Sequence, residues 1–258
     1  MAQTAGGAEL SRERIATETL ERYTGSAAAA FQPMILLTNF QHYVDEFAAR
    51  SGGDRTDGSA MSAAHDTKEK VSIIRFGIGS PNAALIMDLL SFIKPQAVVF
   101  LGLCGGLSAK HHVGDFFLPS AAIRDEGTSR HYLPERVPAM PYFHIHRRLS
   151  LALDSRKLNY RHGIIHTTNY RFWEFDQQFR EGLIAEKAKA IDMECATLFS
   201  VAFAREVRVG ALLLISDLPL ASGGIKTKDS SQSIFDKYTS LHLEVGSEAL
   251  SRIRDDVR

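Results

Sequence analysis

Cysteine is scarce: the 258 residues hold two, Cys104 and Cys195, neither in a C-x-x-C pair, which excludes a disulfide framework. Both lie in apolar segments, as expected in a reducing compartment. One-sided charge is also missing. Thirty basic residues balance thirty acidic ones, so the overall charge draws the chain neither to nucleic acid nor to an anionic membrane. No run of about eighteen uncharged apolar residues occurs, and residues 1–30 are polar and Ala-rich without an apolar leader core. These absences predict a cytoplasmic protein acting on a small molecule, with no nucleic-acid or membrane partner.

What is present is 45% hydrophobic composition, enough for one large core. Residues 9–24 read as a short charged helix, and Gly25-Ser26 with the Ala run behind it as a tether. The expected division is an N-terminal extension over 1–30, disordered in part, and a catalytic domain over 31–258. Strands are predicted at 34–38, 71–76, 97–101, 115–119, 161–167 and 209–215. Helices are predicted at 40–49, 82–93, 146–155, 194–205 and 239–253, while the Gly-, Ser- and Asp-rich stretch 51–67 reads as a surface loop. Alternating strands and helices mean α/β, and the continuous apolar run 97–101 suits a strand covered on both faces.

In such a sheet, ligands gather beyond the carboxyl ends of the strands. Four segments occupy that position: Gly77-Ile78-Gly79-Ser80, residues 102–106, Ile191-Asp192-Met193-Glu194 and Ile215-Ser216-Asp217. Two carboxylates, Glu194 and Asp217, are thereby aimed at one site. A dinucleotide fingerprint does not fit, because Asn82 stands where G-x-G-x-x-G needs its third glycine and no acidic residue follows Leu101-Gly102 to hold a ribose. Taken alone, Glu194 reads as a first-turn residue suited to a helix dipole and Asp217 as an N-cap.

The ordered set Gly102-Leu103-Cys104-Gly105-Gly106-Leu107, Glu126-Gly127-Thr128-Ser129, Asp192-Met193-Glu194 and Ile215-Ser216-Asp217 resembles the nucleoside phosphorylase and nucleosidase superfamily. Residues 31–47, 167–174 and 210–217 resemble AMP nucleosidases in particular, although only some thirty residues precede the core where many of those enzymes carry a large regulatory domain. The resemblance implies a three-layer α/β/α fold with a mixed central sheet. It also implies hydrolysis of AMP to adenine and ribose 5-phosphate without a cofactor, and a homo-oligomer, a hexamer by analogy.

By the same resemblance, Asp217 protonates the purine at N7 and Glu194 grips the ribose hydroxyls. Breaking the glycosidic bond puts negative charge on the base and positive charge on the sugar, so the chemistry calls for both. Asp217 must then hold a proton, for which the preceding apolar run supplies burial, and Glu194 at a helix N-terminus is expected to stay ionised. Met193 packs on the ribose and Phe172 stacks on the purine, with Asn39, Gly105 and Ser216 around the substrate. Arg171 and Lys226 lead as partners of the 5′-phosphate, followed by Lys228, Arg130 and His131. Phosphorylases of the superfamily carry an arginine and a serine where this chain has Phe100 and Leu103, an apolar pair that cannot hold a phosphate nucleophile. Water is the expected nucleophile, with Asn39 and Glu194 as positional candidates for activating it.

The pairs His144/His146 and His162/His166 suggest two imidazoles on a strand face, but neither has a third ligand at metal-site spacing, so no metal is expected. Two rival functions stand beside AMP hydrolysis. One is a nucleosidase or phosphorylase for unphosphorylated purine nucleosides, the other a non-catalytic nucleotide-binding homologue.

Overall fold

A computed structural model describes residues 11–221, 224 and 228–256. Its elements run in the order α1 (Arg12–Thr24), β1 (Met34–Thr38), α2 (Gln41–Ser51), β2 (Arg55–Asp57), β3 (Ser62–Asp66), β4 (Val71–Arg75), α3 (Ser80–Ile93) and β5 (Ala97–Gly106). There follow β6 (Phe116–Asp125), α4 (Phe143–Ser155), β7 (Tyr160–Thr168), α5 (Gln177–Ala185), β8 (Ala190–Asp192), α6 (Cys195–Ala204), β9 (Val209–Asp217) and α7 (Lys228–Asp256).

All five residues of β1 are buried, because parallel strands β4 and β5 flank it and helices cover both of its faces. Side chains alternate between the two layers. Ile35 and Leu37 of β1, Val98 and Phe100 of β5 and Ala211 and Leu213 of β9 meet α1, α3 and α6 in one core. Met34 and Leu36, Val99 and Leu101, and Leu212 and Leu214 meet α2, α4 and α7 in the other. The architecture is three-layer α/β/α with a mixed sheet, as the family resemblance implies.

Sheet order is β2-β3-β4-β1-β5-β8-β7-β6-β9, and β9 also pairs with β5 in parallel, so five strands close on themselves. The closure requires β8 and β9 to flank the same end of β5. Gly105 is in register with Ile191 on one side and with Asp217 on the other.

Three sequence expectations are corrected. The stretch 51–67 is a surface loop only in part: β2 and β3 form an antiparallel pair that extends the sheet, and Met61, Ser62, Ala63 and Ala64 are buried. Its small residues carry little apolar signal, yet they fit beneath helices. His144 and His146 lie in α4, so they are not on a strand face.

The helix read over 9–24 is present as α1, whereas the tether reading of 25–30 fails. Helix α1, capped by Ser11, buries Ala16 and Leu20 in the first core, and Ser26 bonds to Thr56 and His65. A Leu20→Ala substitution is therefore expected to destabilise the protein by about 2–4 kcal/mol in denaturant unfolding. A change below about 0.5 kcal/mol would mean that packing of α1 adds little to the core.

Candidate active site

The carboxyl ends of β1, β5, β7, β8 and β9 converge on a cavity of about 600 Å³. Among the described residues its wall includes Asn39, Leu103, Gly105, Tyr170, Arg171, Trp173, Glu174, Asp192, Met193, Glu194, Ser216 and Asp217. Seven of the twelve residues singled out from sequence, namely Asp217, Glu194, Met193, Ser216, Gly105, Asn39 and Arg171, are thus brought together.

Glu194 lies at the start of α6 but does not cap it. Asp192 satisfies the helix start instead. Its Oδ2 accepts the backbone N–H groups of Glu194 and Cys195 at 3.1 and 2.7 Å, and its Oδ1 accepts the Thr167 hydroxyl at 2.6 Å. The Thr167 oxygen in turn accepts the Ala196 N–H at 3.0 Å. Released from the helix, the Glu194 carboxylate reaches across to the β4–α3 loop and accepts the Gly79 N–H at 2.7 Å. Gly77 and Gly79 have φ of 92° and 94°, a conformation open to glycine at little strain, and this turn is what aims the Gly79 N–H at the carboxylate. Asn39 donates to the Gly77 carbonyl at 2.5 Å and also bonds Glu194.

Glu194 is not held ionised by the helix N-terminus, which corrects the sequence expectation. Burial, and then the charge of Asp192, push its pKa up to about 8, against the hydrogen bonds from Gly79, Met193 and Asn39. Burial likewise pushes Asp192 up, and its hydrogen-bond donors on Thr167, Glu194 and Cys195 pull the other way.

Asp217 ends β9 half-buried on the wall, and its Oδ1 accepts the Ser216 hydroxyl at 2.6 Å. Its burial is thus less complete than the apolar run suggests, because the strand end opens into the cavity. Gly105 sits between the carboxylate strands. A Cβ there would stand 3.1 Å from both Ile191 Cγ2 and Pro219 Cγ. Leu103 lines the cavity, whereas Phe100 is fully buried against Phe76.

The β7–α5 segment contributes Tyr170, Arg171, Trp173 and Glu174, with Arg171 Nη1 donating to Glu174 Oε1 at 2.9 Å. Phe172 is 67% exposed and outside the cavity wall, whose aromatic residues in this segment are Tyr170 and Trp173. The turn at Trp173–Phe175 rotates Phe172 away, a detail invisible in a motif. Arg130 is exposed and paired with Glu135, and His131 is exposed too. Lys226 lies outside the described residues. Asp192, Thr167 and Glu174 each belong to the family-like stretches of the sequence, which assigned them no role. Only for Asp192 was a signal available, an acidic residue poised to cap the following helix.

A family model described as the phosphorylase superfamily matches residues 34–250. The chain belongs to that superfamily. Among superfamily members, it is 28% identical to the AMP nucleosidase of Escherichia coli (strain K12) over 91% of this chain and 58% of that one, and so spans little more than half the length of that relative. It is 29% identical to the guanosine phosphorylase of Halorubrum lacusprofundi, over 69% of this chain and 72% of that one. The crystal structure of an AMP nucleosidase from Bacteroides thetaiotaomicron superposes with a TM-score of 0.85 at 42% identity, covering 96% of this chain and 99% of that one. A purine nucleoside phosphorylase from Toxoplasma gondii shares the fold, with a TM-score of 0.78 at 18% identity over 90% and 95% of the two chains.

The raised carboxyl of Glu194 has a consequence for stability. A carboxyl whose folded pKa exceeds its unfolded value binds more protons in the folded state, so its contribution is full below the unfolded pKa and lost as pH climbs through the folded one. Unfolding free energy of the empty protein is expected to fall between pH 4.5 and about 8, and Glu194→Gln to flatten that slope. Denaturant titrations across the window check this, and an unchanged slope in the variant would exclude Glu194 as its source.

Proposed function

We propose that the chain hydrolyses the N-glycosidic bond of AMP, releasing adenine and ribose 5-phosphate. The observation that carries this reading is the pairing of Glu194 and Asp217 across one cavity, in a chain 42% identical over nearly its whole length to an AMP nucleosidase. In this mechanism the carboxyl of Asp217 gives its proton to N7 as the C1′–N9 bond breaks and its electron pair passes to the base. Ser216 holds the Asp217 carboxyl in place. Glu194, fixed by Gly79 and Asn39, accepts a ribose hydroxyl, and positive charge growing on the sugar favours its ionised form.

A water oxygen then bonds to C1′ and gives up a proton, which restores the acid. Asn39 and Glu194 are the candidates for orienting that water. Phe100 faces the core and Leu103 presents only carbon to the cavity, so the corner where the superfamily's phosphorylases are expected to bind phosphate offers no charged donor. This supports water over phosphate as the nucleophile. Arg171 is the cation on the wall among the described residues and is proposed to meet the 5′-phosphate, with Lys226 as a second partner.

The exposed apolar residues Phe172, Phe175 and Ile184 around the β7–α5 segment support assembly into a homo-oligomer. Residues 31–258 are proposed as the catalytic unit, with α1 packed against it. A cytoplasmic location is part of the same proposal. Among the described residues no helix is long and apolar enough to cross a membrane.

Purified protein is expected to release adenine from AMP, with or without inorganic phosphate, and not from adenosine. Release that requires phosphate, or a preference for adenosine, would favour the nucleoside-specific rival, and no release from either substrate the non-catalytic one. Asp217→Asn is expected to lower kcat at least about 100-fold while AMP still binds. Near-normal turnover by that variant would remove Asp217 as the acid.

A further inference from the structure

Glu174 is the carboxylate on the cavity wall that the mechanism leaves unused. Its side chain is 6% exposed, whereas that of its partner Arg171 is 54% exposed. Arg171 donates to Oε1 at 2.9 Å, and Oε2 is buried without a hydrogen-bond partner. Asp192 shows what a buried carboxylate looks like when it serves the fold, with two backbone N–H groups and a hydroxyl converging on it. Glu174 receives one half-exposed guanidinium. Removing a carboxylate from water costs more than a single such pair returns, so the pair is a poor device for holding the chain together.

It is a good device for aiming Arg171. A guanidinium is a rigid planar fork, so fixing Nη1 fixes the directions of its remaining N–H groups. Apart from Glu174, the guanidinium of Arg171 meets the exposed ring of Phe172, 5.8 Å from the centroid, and a half-exposed arginine with no more than that contact would sample many rotamers. The other charged side chains of the wall, Asp192, Glu194 and Asp217, are acidic, so the placement of this cation governs how a dianion is received. We infer that Glu174 is a positioning residue: it holds Arg171 so that the free edge of the guanidinium faces the 5′-phosphate. The inference rests on the AMP reading above and extends it to a residue that does not itself touch substrate.

The test compares wild type, Glu174→Leu, Glu174→Gln and Arg171→Met. Glu174→Leu is expected to raise KM for AMP about tenfold, with kcat within about twofold of wild type. Inhibition by ribose 5-phosphate should weaken in parallel, and inhibition by adenine should not. Glu174→Gln, which keeps an acceptor for Arg171, should fall between. Arg171→Met should reproduce the loss, and the double variant should add nothing to it. Thermal stability is expected to hold or rise in Glu174→Leu, because a half-satisfied buried carboxylate is replaced by carbon.

A fall in stability with equal weakening of ribose 5-phosphate and adenine would make Glu174 a structural residue and overturn the inference, as would an unchanged KM. If Glu174→Leu does not fold, the same measurements on Glu174→Gln decide, with an intermediate KM as support and a wild-type value as refutation. Wild-type protein that releases no adenine from AMP defeats the functional reading and this inference together. Wild-type activity with a normal KM in Glu174→Leu defeats the inference alone.

Discussion

The site depends on a division of labour between two carboxylates at the start of α6. A helix N-terminus presents unpaired N–H groups, and the nearest acidic side chain ordinarily turns back to satisfy them. Asp192 does so, locked by Thr167 from the neighbouring strand. Glu194 is consequently free to leave the helix and meet Gly79 at 2.7 Å. Were Asp192 absent, the same N–H groups would compete for Glu194 and draw its carboxylate away from Gly79.

The closure of the sheet supplies the second half of the site. Parallel β9 delivers Asp217 beside Gly105, and antiparallel β8 delivers Ile191 to the other side of the same glycine. Two segments remote in sequence thereby end at one cavity, and the small residue between them leaves its volume open. The buried layers beneath give these strand ends a rigid base, as the pairing of β1 with β4 and β5 and the alternation of its side chains between two cores show. Burying these carboxylates favours their protonated forms: burial and the charge of Asp192 raise Glu194, and desolvation raises Asp192.

Legibility followed the strength of the local signal. The apolar runs of β1, β5 and β9 were readable because strands buried on both faces carry continuous hydrophobic sequence. The β2–β3 pair was missed because Ser62, Ala63 and Ala64 are buried by being small, which composition registers as a loop. Leu20 was missed because few buried side chains, Ala16, Leu20 and Thr24, anchor an otherwise polar helix. At the site, Glu194 and Asp217 stood out as acidic residues at strand ends, while Phe172 misled because adjacent aromatic residues differ only in which way the backbone turns them.

By itself, the sequence determined the α/β class, the family, most of the longer strands and helices, and the acidic residues Glu194 and Asp217 that stand at the ends of apolar runs, since each is signalled by short stretches of residues. Only the tertiary structure decided which acid caps α6 and which faces the cavity, that Gly105 lies between the two strand ends, that α1 belongs to the core, and that Glu174 is spent on Arg171. Those outcomes turn on distances between segments far apart in the chain and on the energetic cost of burying a charge, neither of which is a property of any local stretch of residues.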